Sequence, residues 1–162
     1  MTAPIASFDD LFVGQRFAYG RFALTEAEII DYALKYDPQP FHTDPEAARA
    51  APLFGGLVAS GLHSMGMCFG LIMRSGIWRE VSLGGSGIDT RWPAPLRPGE
   101  EVAVETEVLA LTPSQSRPMG VAKLRHTGTR VADGVCVIEM IGTHFLKRTA
   151  APPLSPTAAR GR

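Results

Sequence analysis

Apolar residues along this chain change their spacing twice, and each spacing predicts a different element. Ile29, Ile30, Ala33 and Leu34 recur at helical intervals and are read as one buried face. Thr25 before them and Glu28 three residues later make a capping-box sequence, so a helix is expected from there to about Tyr36. Pro38 disfavours the α conformation at Asp37 and ends it. From Pro52 to Met73 no charged residue occurs. Leu62, Met65, Phe69, Ile72 and Met73 follow helical spacing there while the other faces are apolar too, which predicts an enclosed helix from about Gly61 to Arg74. After Val81 the period becomes two, clearest from Glu101 to Leu109 and again in part of Val131 to Phe145. Pro98-Gly99-Glu100 and Ala132-Asp133-Gly134 supply turns, so a meander of three or four antiparallel strands should follow the apolar helix.

The remaining segments connect these elements. Phe8 to Phe22 reads as extended with a turn at Val13-Gly14, and Pro38-Gln39-Pro40-Phe41 as a stiff extended loop. Asp44 as N-cap and Pro45 at the first helical position open a short helix. Gly84-Gly85-Ser86-Gly87 lacks the order of a phosphate-cradling loop and reads as a turn into a strand. Residues 1–148 are therefore expected to form a single α+β domain in which an antiparallel sheet wraps the apolar helix. Residues 149–162, proline-rich and without periodicity, read as a flexible tail.

Composition narrows the function. With 16 Lys and Arg against 16 Asp and Glu there is no net charge to draw the chain to nucleic acid or an anionic membrane. The uncharged run is long enough to span a bilayer, but five glycines with Ser60, His63 and Ser64 make it too polar to insert well. Cys68 and Cys136 are far apart and have no metal-ligand spacing. The opening residues hold neither a basic stretch nor a long apolar run, which makes the cytoplasm the expected location.

The most informative segment runs from Tyr36 to Asp44. Asp37 and His42 are separated by four residues on a connection stiffened by two prolines. A carboxylate and an imidazole converging on one water can perform acid–base chemistry near neutral pH. The same residues also fit a local cap and a structural histidine, and spacing alone leaves both readings open.

Asp37-x4-His42-x-Asp44-x2-Ala47-Ala48, followed by Phe54-Gly55-Gly56-Leu57-Val58-Ala59-Ser60-Gly61 and a long apolar helix, resembles the MaoC-like, (R)-specific enoyl-CoA hydratase branch of the hot-dog superfamily. The resemblance extends from about Leu11 to Phe145. It implies a hot-dog fold, a homodimer or higher homo-oligomer with neighbouring sheets joined, and hydration of a trans-2-enoyl thioester. It makes Asp37 and His42 the water-activating pair and the Gly61 N–H the donor to the thioester carbonyl, with Gln39, Ser60 and Leu62 as further substrate-binding positions. Gln39 and Ser60 depart from the Asn and His common in that family, and Gly66 replaces a serine.

The expected activity is thus a hydro-lyase acting on trans-2-enoyl-CoA or a related thioester such as mesaconyl-CoA, with no metal and no cofactor beyond the coenzyme A of the substrate. Two competitors are a hot-dog thioesterase and a non-catalytic acyl-CoA-binding protein. The first is disfavoured because no Asp or Glu lies between Glu46 and Glu80 to serve on the central helix. His63 is read as a helix-start histidine bonded to backbone, His126 and His144 as strand residues without metal spacing, and Trp78 and Trp92 as core or interface anchors. Arg91, Arg97, Lys123 and Arg125 are candidates for the coenzyme A phosphates.

Overall fold

The computed structural model describes residues 3–149; the expected tail, apart from Thr149, lies outside the described residues. Ser7 caps a single 3₁₀ turn, Phe8–Asp10, where an extended segment was expected. The chain then forms β1 (Arg16–Phe22), α1 (Glu26–Tyr36), α2 (Pro40–Thr43), α3 (Pro45–Ala50), α4 (Gly61–Arg74), β2 (Ser82–Arg91), β3 (Val102–Pro113), β4 (Met119–Arg130) and β5 (Cys136–Lys147). The strands make one antiparallel sheet in the order β1-β3-β4-β5-β2. The meander is β3-β4-β5; β2 leaves α4 and pairs only with β5, at the far edge.

Period-two burial sets the inner face. Val102, Val104, Thr106 and Val108 of β3 and Ala122, Leu124 and His126 of β4 turn inward with Met140 and Leu146 of β5, against Cys68 and Ile72 of α4. Close approach is possible where the sheet lacks side chains: a Cβ on Gly128 would stand 3.2 Å from Cys68 Sγ and 2.6 Å from Ile138 Cγ2. Burial pushes the Cys68 thiol up to about 12, so it packs as an inert apolar group. The sheet edge near β1 is sealed by Trp78, whose ring meets Phe17 edge-on at 5.1 Å and whose Nε1 donates to Tyr19 Oη at 2.9 Å. Residues 7–9 lie beside residues 148–149: Arg148 pairs with Asp9 at 2.8 Å, and the Thr149 N–H donates to Ser7 Oγ.

The Thr25–Glu28 capping box and both ends of α1 agree with expectation, as do the bounds of α4 and the Asp44 cap on α3. Several local expectations need correction. Leu34 is 63% exposed, because five residues beyond buried Ile29 it lies about 140° further round the helix. Pro40 opens the helical turn α2 instead of continuing an extended loop, since its fixed φ suits a first helical position. Gly84 to Gly87 lie within β2, where the pairing with β5 slips twice. α4 is not enclosed on all sides within this chain: Leu62 and Met73 are half-exposed.

Candidate active site

Asp37 is the residue at which α1 stops. Its N–H still bonds the Ala33 carbonyl, and its φ of −157° turns the chain toward Pro38. One residue on, Gln39 receives the His42 N–H on its carbonyl, so α2 folds back and delivers His42 beside Asp37. Asp37 Oδ2 and His42 Nε2 stand 3.5 Å apart. His42 is buried, and its Nδ1 lies 2.7 Å from the Val58 carbonyl oxygen. A carbonyl only accepts, so Nδ1 carries the proton, and in the neutral ring Nε2 is a lone pair aimed toward the carboxylate. Two acceptors therefore face one another, a juxtaposition that the two O–H bonds of a single water satisfy.

α4 approaches this pair with its N-terminus. Ser60, fully buried, caps the helix by accepting from the Leu62 N–H at 3.2 Å and donates its own proton to Asp37 Oδ2 at 2.7 Å. The N–H of Gly61, the first helical residue, has no intrahelical acceptor, and the positive end of the helix dipole lies there. Trp92, from the end of β2, donates Nε1 to the Gly61 carbonyl at 3.0 Å, and its ring covers the glycine so closely that a Cβ would meet Cε2 at 2.6 Å. Asp37, His42, Gly61, Leu62 and Trp92 all line one cavity of about 550 Å³, whose remaining walls come from Phe41, Leu53, Phe54, Val58, Ala59, Ser64, the Pro93–Leu96 segment and Val137. That size and largely apolar lining with a few convergent polar groups suit a small-molecule site.

Several of the other residues singled out from the sequence fall outside it. Gln39 serves through its backbone and does not line the cavity. His63 is buried but stacked on Tyr32 at 4.2 Å with Nδ1 unbonded, so the expected backbone bond is not made; burial lowers its proton affinity, against the opposing pull of Glu28. Arg125 projects to the outer face, where Glu107 pairs with it at 2.6 Å, and Arg97 donates to the Phe54 carbonyl; neither lines the cavity. Of the two residues read as core or interface anchors, Trp78 is buried in the core, and Trp92, 45% exposed in this chain, lines the cavity. Among the described residues no three His, Cys, Asp or Glu side chains are grouped to hold a metal, and no helix is long and apolar enough to cross a membrane.

Behind α4 lies a second polar group. Thr106 Oγ1 is 2.6 Å from His126 Nδ1, and His126 Nε2 is 3.2 Å from His144 Nε2. The His144 ring lies over Gly142, where a Cβ would collide with it. Burial first, and the nearness of His144 second, push His126 down to about 3, while burial lowers His144.

Comparison with known proteins agrees with this architecture. A MaoC-like dehydratase from Rhodospirillum rubrum is 38% identical, with a TM-score of 0.82 over 90% of this chain and 99% of that one. An (R)-hydratase from A. caviae involved in PHA biosynthesis is 24% identical, with a TM-score of 0.65 over 85% of this chain and 97% of that one, a likeness of fold. The uncharacterized protein YdeM of Bacillus subtilis is 27% identical over 109 residues, 67% of this chain and 77% of that protein. The family described as MaoC like domain matches residues 13–129, and the chain belongs to that family, with the hot-dog fold.

Proposed function

We propose that the protein is a hydro-lyase that reversibly adds water across the double bond of a trans-2-enoyl-CoA, with Asp37 and His42 as its catalytic pair. The observation that carries this is the convergence of Asp37 Oδ2 and His42 Nε2 on one point of an apolar cavity, next to the N-terminus of α4. The dehydratase family and the hydratase-like fold support the same reaction type.

In this reading a water gives one O–H to each member of the pair. Asp37 is the principal base toward that water, and His42 shares it and carries the proton onward. The water oxygen bonds to C3 as the C2=C3 π pair moves toward the thioester, and the charge gathering on the carbonyl oxygen is met by the Gly61 N–H and the helix dipole. The pair then returns the proton to C2, so one water has been added and nothing else consumed. No metal or cofactor enters this scheme; coenzyme A arrives with the substrate.

The protein acts as a homodimer in the cytoplasm on this proposal. β2 pairs on one side only and exposes Leu83 and Ile88, which leaves an unpaired sheet edge for a second copy to continue. The test of activity is the loss of enoyl-thioester absorbance on mixing with a series from crotonyl-CoA to trans-2-octenoyl-CoA. Decay with the wild type and none with Asp37→Asn is the expected result; equal decay with both would remove Asp37 from the mechanism.

A further inference from the structure

A second hollow, of about 530 Å³, adjoins the first and shares Phe41, Leu53 and Phe54 with it; Ala51 and Pro52 complete its lining. The Phe41 and Phe54 rings stand 5.2 Å apart in the common wall. No ionisable side chain lines the second hollow, and those lining the first are Asp37 and His42 alone. Leu53 is 81% exposed at the junction, a large apolar side chain with water where a ligand could cover it. The wall itself is held in place: Arg97 Nη2 donates to the Phe54 carbonyl at 2.5 Å, and the Ala59 N–H donates to Leu96 O at 2.8 Å.

A straight-chain enoyl thioester and a dicarboxylic one such as mesaconyl-CoA make different demands on this lining. A distal carboxylate would lie against apolar side chains with no Lys or Arg lining either hollow to pair with it, and of the two ionisable groups in the lining, Asp37 and His42, the first is itself an acid. A four-carbon acyl group bound at Asp37 would leave the Ala51–Leu53 hollow unused. We infer that the site selects an uncharged, apolar acyl chain of medium length, whose distal carbons pass the Phe41–Phe54 wall into the hollow beside Leu53. This rests on the thioester reading of the cavity, and not on the protein's being catalytic.

Saturated thioesters test it independently of turnover. Calorimetric titration of the full chain with butyryl-, octanoyl- and succinyl-CoA should give octanoyl-CoA the tightest binding, by at least ~10-fold over butyryl-CoA, since a buried methylene is worth about fourfold. Succinyl-CoA should bind weakest. Pro52→Asp, an exposed change at the far hollow, should collapse the octanoyl-to-butyryl ratio toward unity. Equal affinity across chain lengths, succinyl-CoA binding as tightly as octanoyl-CoA, or a ratio untouched by Pro52→Asp would overturn the inference. Tight octanoyl-CoA binding with no hydration of trans-2-octenoyl-CoA would overturn the hydratase proposal and leave this one standing. Binding of none of the three would overturn both.

Discussion

Ser60 Oγ donates to Asp37 Oδ2 at 2.7 Å, so the residue that caps α4 also fixes the carboxylate that ends α1. Removing that hydroxyl has two separable effects. Ser60→Ala should lose about 1 kcal/mol of stability as an N-cap deletion, seen as a lower denaturant midpoint. It should also lower the hydration rate by at least ~10-fold, because a charge-assisted hydrogen bond that orients Asp37 is gone. A stability loss with an unchanged rate would reduce Ser60 to a cap.

Substitution of the pair itself should separate chemistry from folding. Asp37 is part-exposed, so Asp37→Asn should keep its melting temperature within a few degrees while turnover falls by roughly 10²-fold or more. His42→Ala also abandons the bond to Val58 O inside the fold, and a further loss of about 1–3 kcal/mol should accompany its inactivity. Circular dichroism melts beside the absorbance assay read both quantities.

Gly61 tests whether the helix N-terminus must be bare. An alanine there would meet the Trp92 ring at 2.6 Å, and the ring, half-exposed, can swing aside. Gly61→Ala should therefore remain folded, shift the Trp92 component of the fluorescence to the red, and bind acyl-CoA more weakly. An unchanged spectrum would mean that Trp92 does not cover Gly61 in solution.

The buried histidines set an acid limit on stability. His126 is pushed down to about 3 and His144 is lowered, both by burial, so the folded chain holds fewer protons than the unfolded one below the ordinary imidazole range. The contribution is complete above about pH 6.5 and is lost as the pH falls from there toward 3. Urea midpoints should fall steadily between pH 6.5 and 4.5, with a slope approaching ~1.4 kcal/mol per pH unit for each histidine involved. A His126→Leu variant should show a shallower slope.

The unpaired β2 edge can be interrogated directly. Ile88→Lys places a charge on an exposed strand position and should shift sedimentation from dimer toward monomer while the monomer stays folded. A dimer that survives this change uses another face.

Much of the fold and of the site is legible in the sequence. Glu28 three residues after Thr25, and Asp44 before Pro45, encode their caps locally, so α1 and α3 begin where the sequence says. The helical spacing of apolar residues from Leu62 to Met73, inside the uncharged run, likewise marks α4, and Arg74, its last residue, ends the run. Asp37 and His42 share one short connection, and proximity in sequence made their proximity in space a fair expectation. Trp92 could not be found that way: its bond to Gly61 crosses 31 positions and exists because β2 runs to the sheet edge after leaving α4. The family resemblance points Ser60 toward substrate, whereas its bond to Asp37 is set by how α1 meets α4 and has no signal in the sequence. His126 and His144 face each other diagonally across β4 and β5, which needs both the strand register and the missing side chain at Gly142.

The contacts of Ser7 and Asp9 with Arg148 and Thr149 carry a consequence for the order of assembly. Their partners are separated by 139 and 142 positions, so these bonds close nearly the largest loop the described chain can form. A ribosome must have passed residue 149 before they exist, whereas the capping boxes and the β3–β4 hairpin need only neighbours. The helical turns that hold Asp37 and His42 can therefore take shape while the seam is still open, and fraying of that seam in the finished protein need not disturb them.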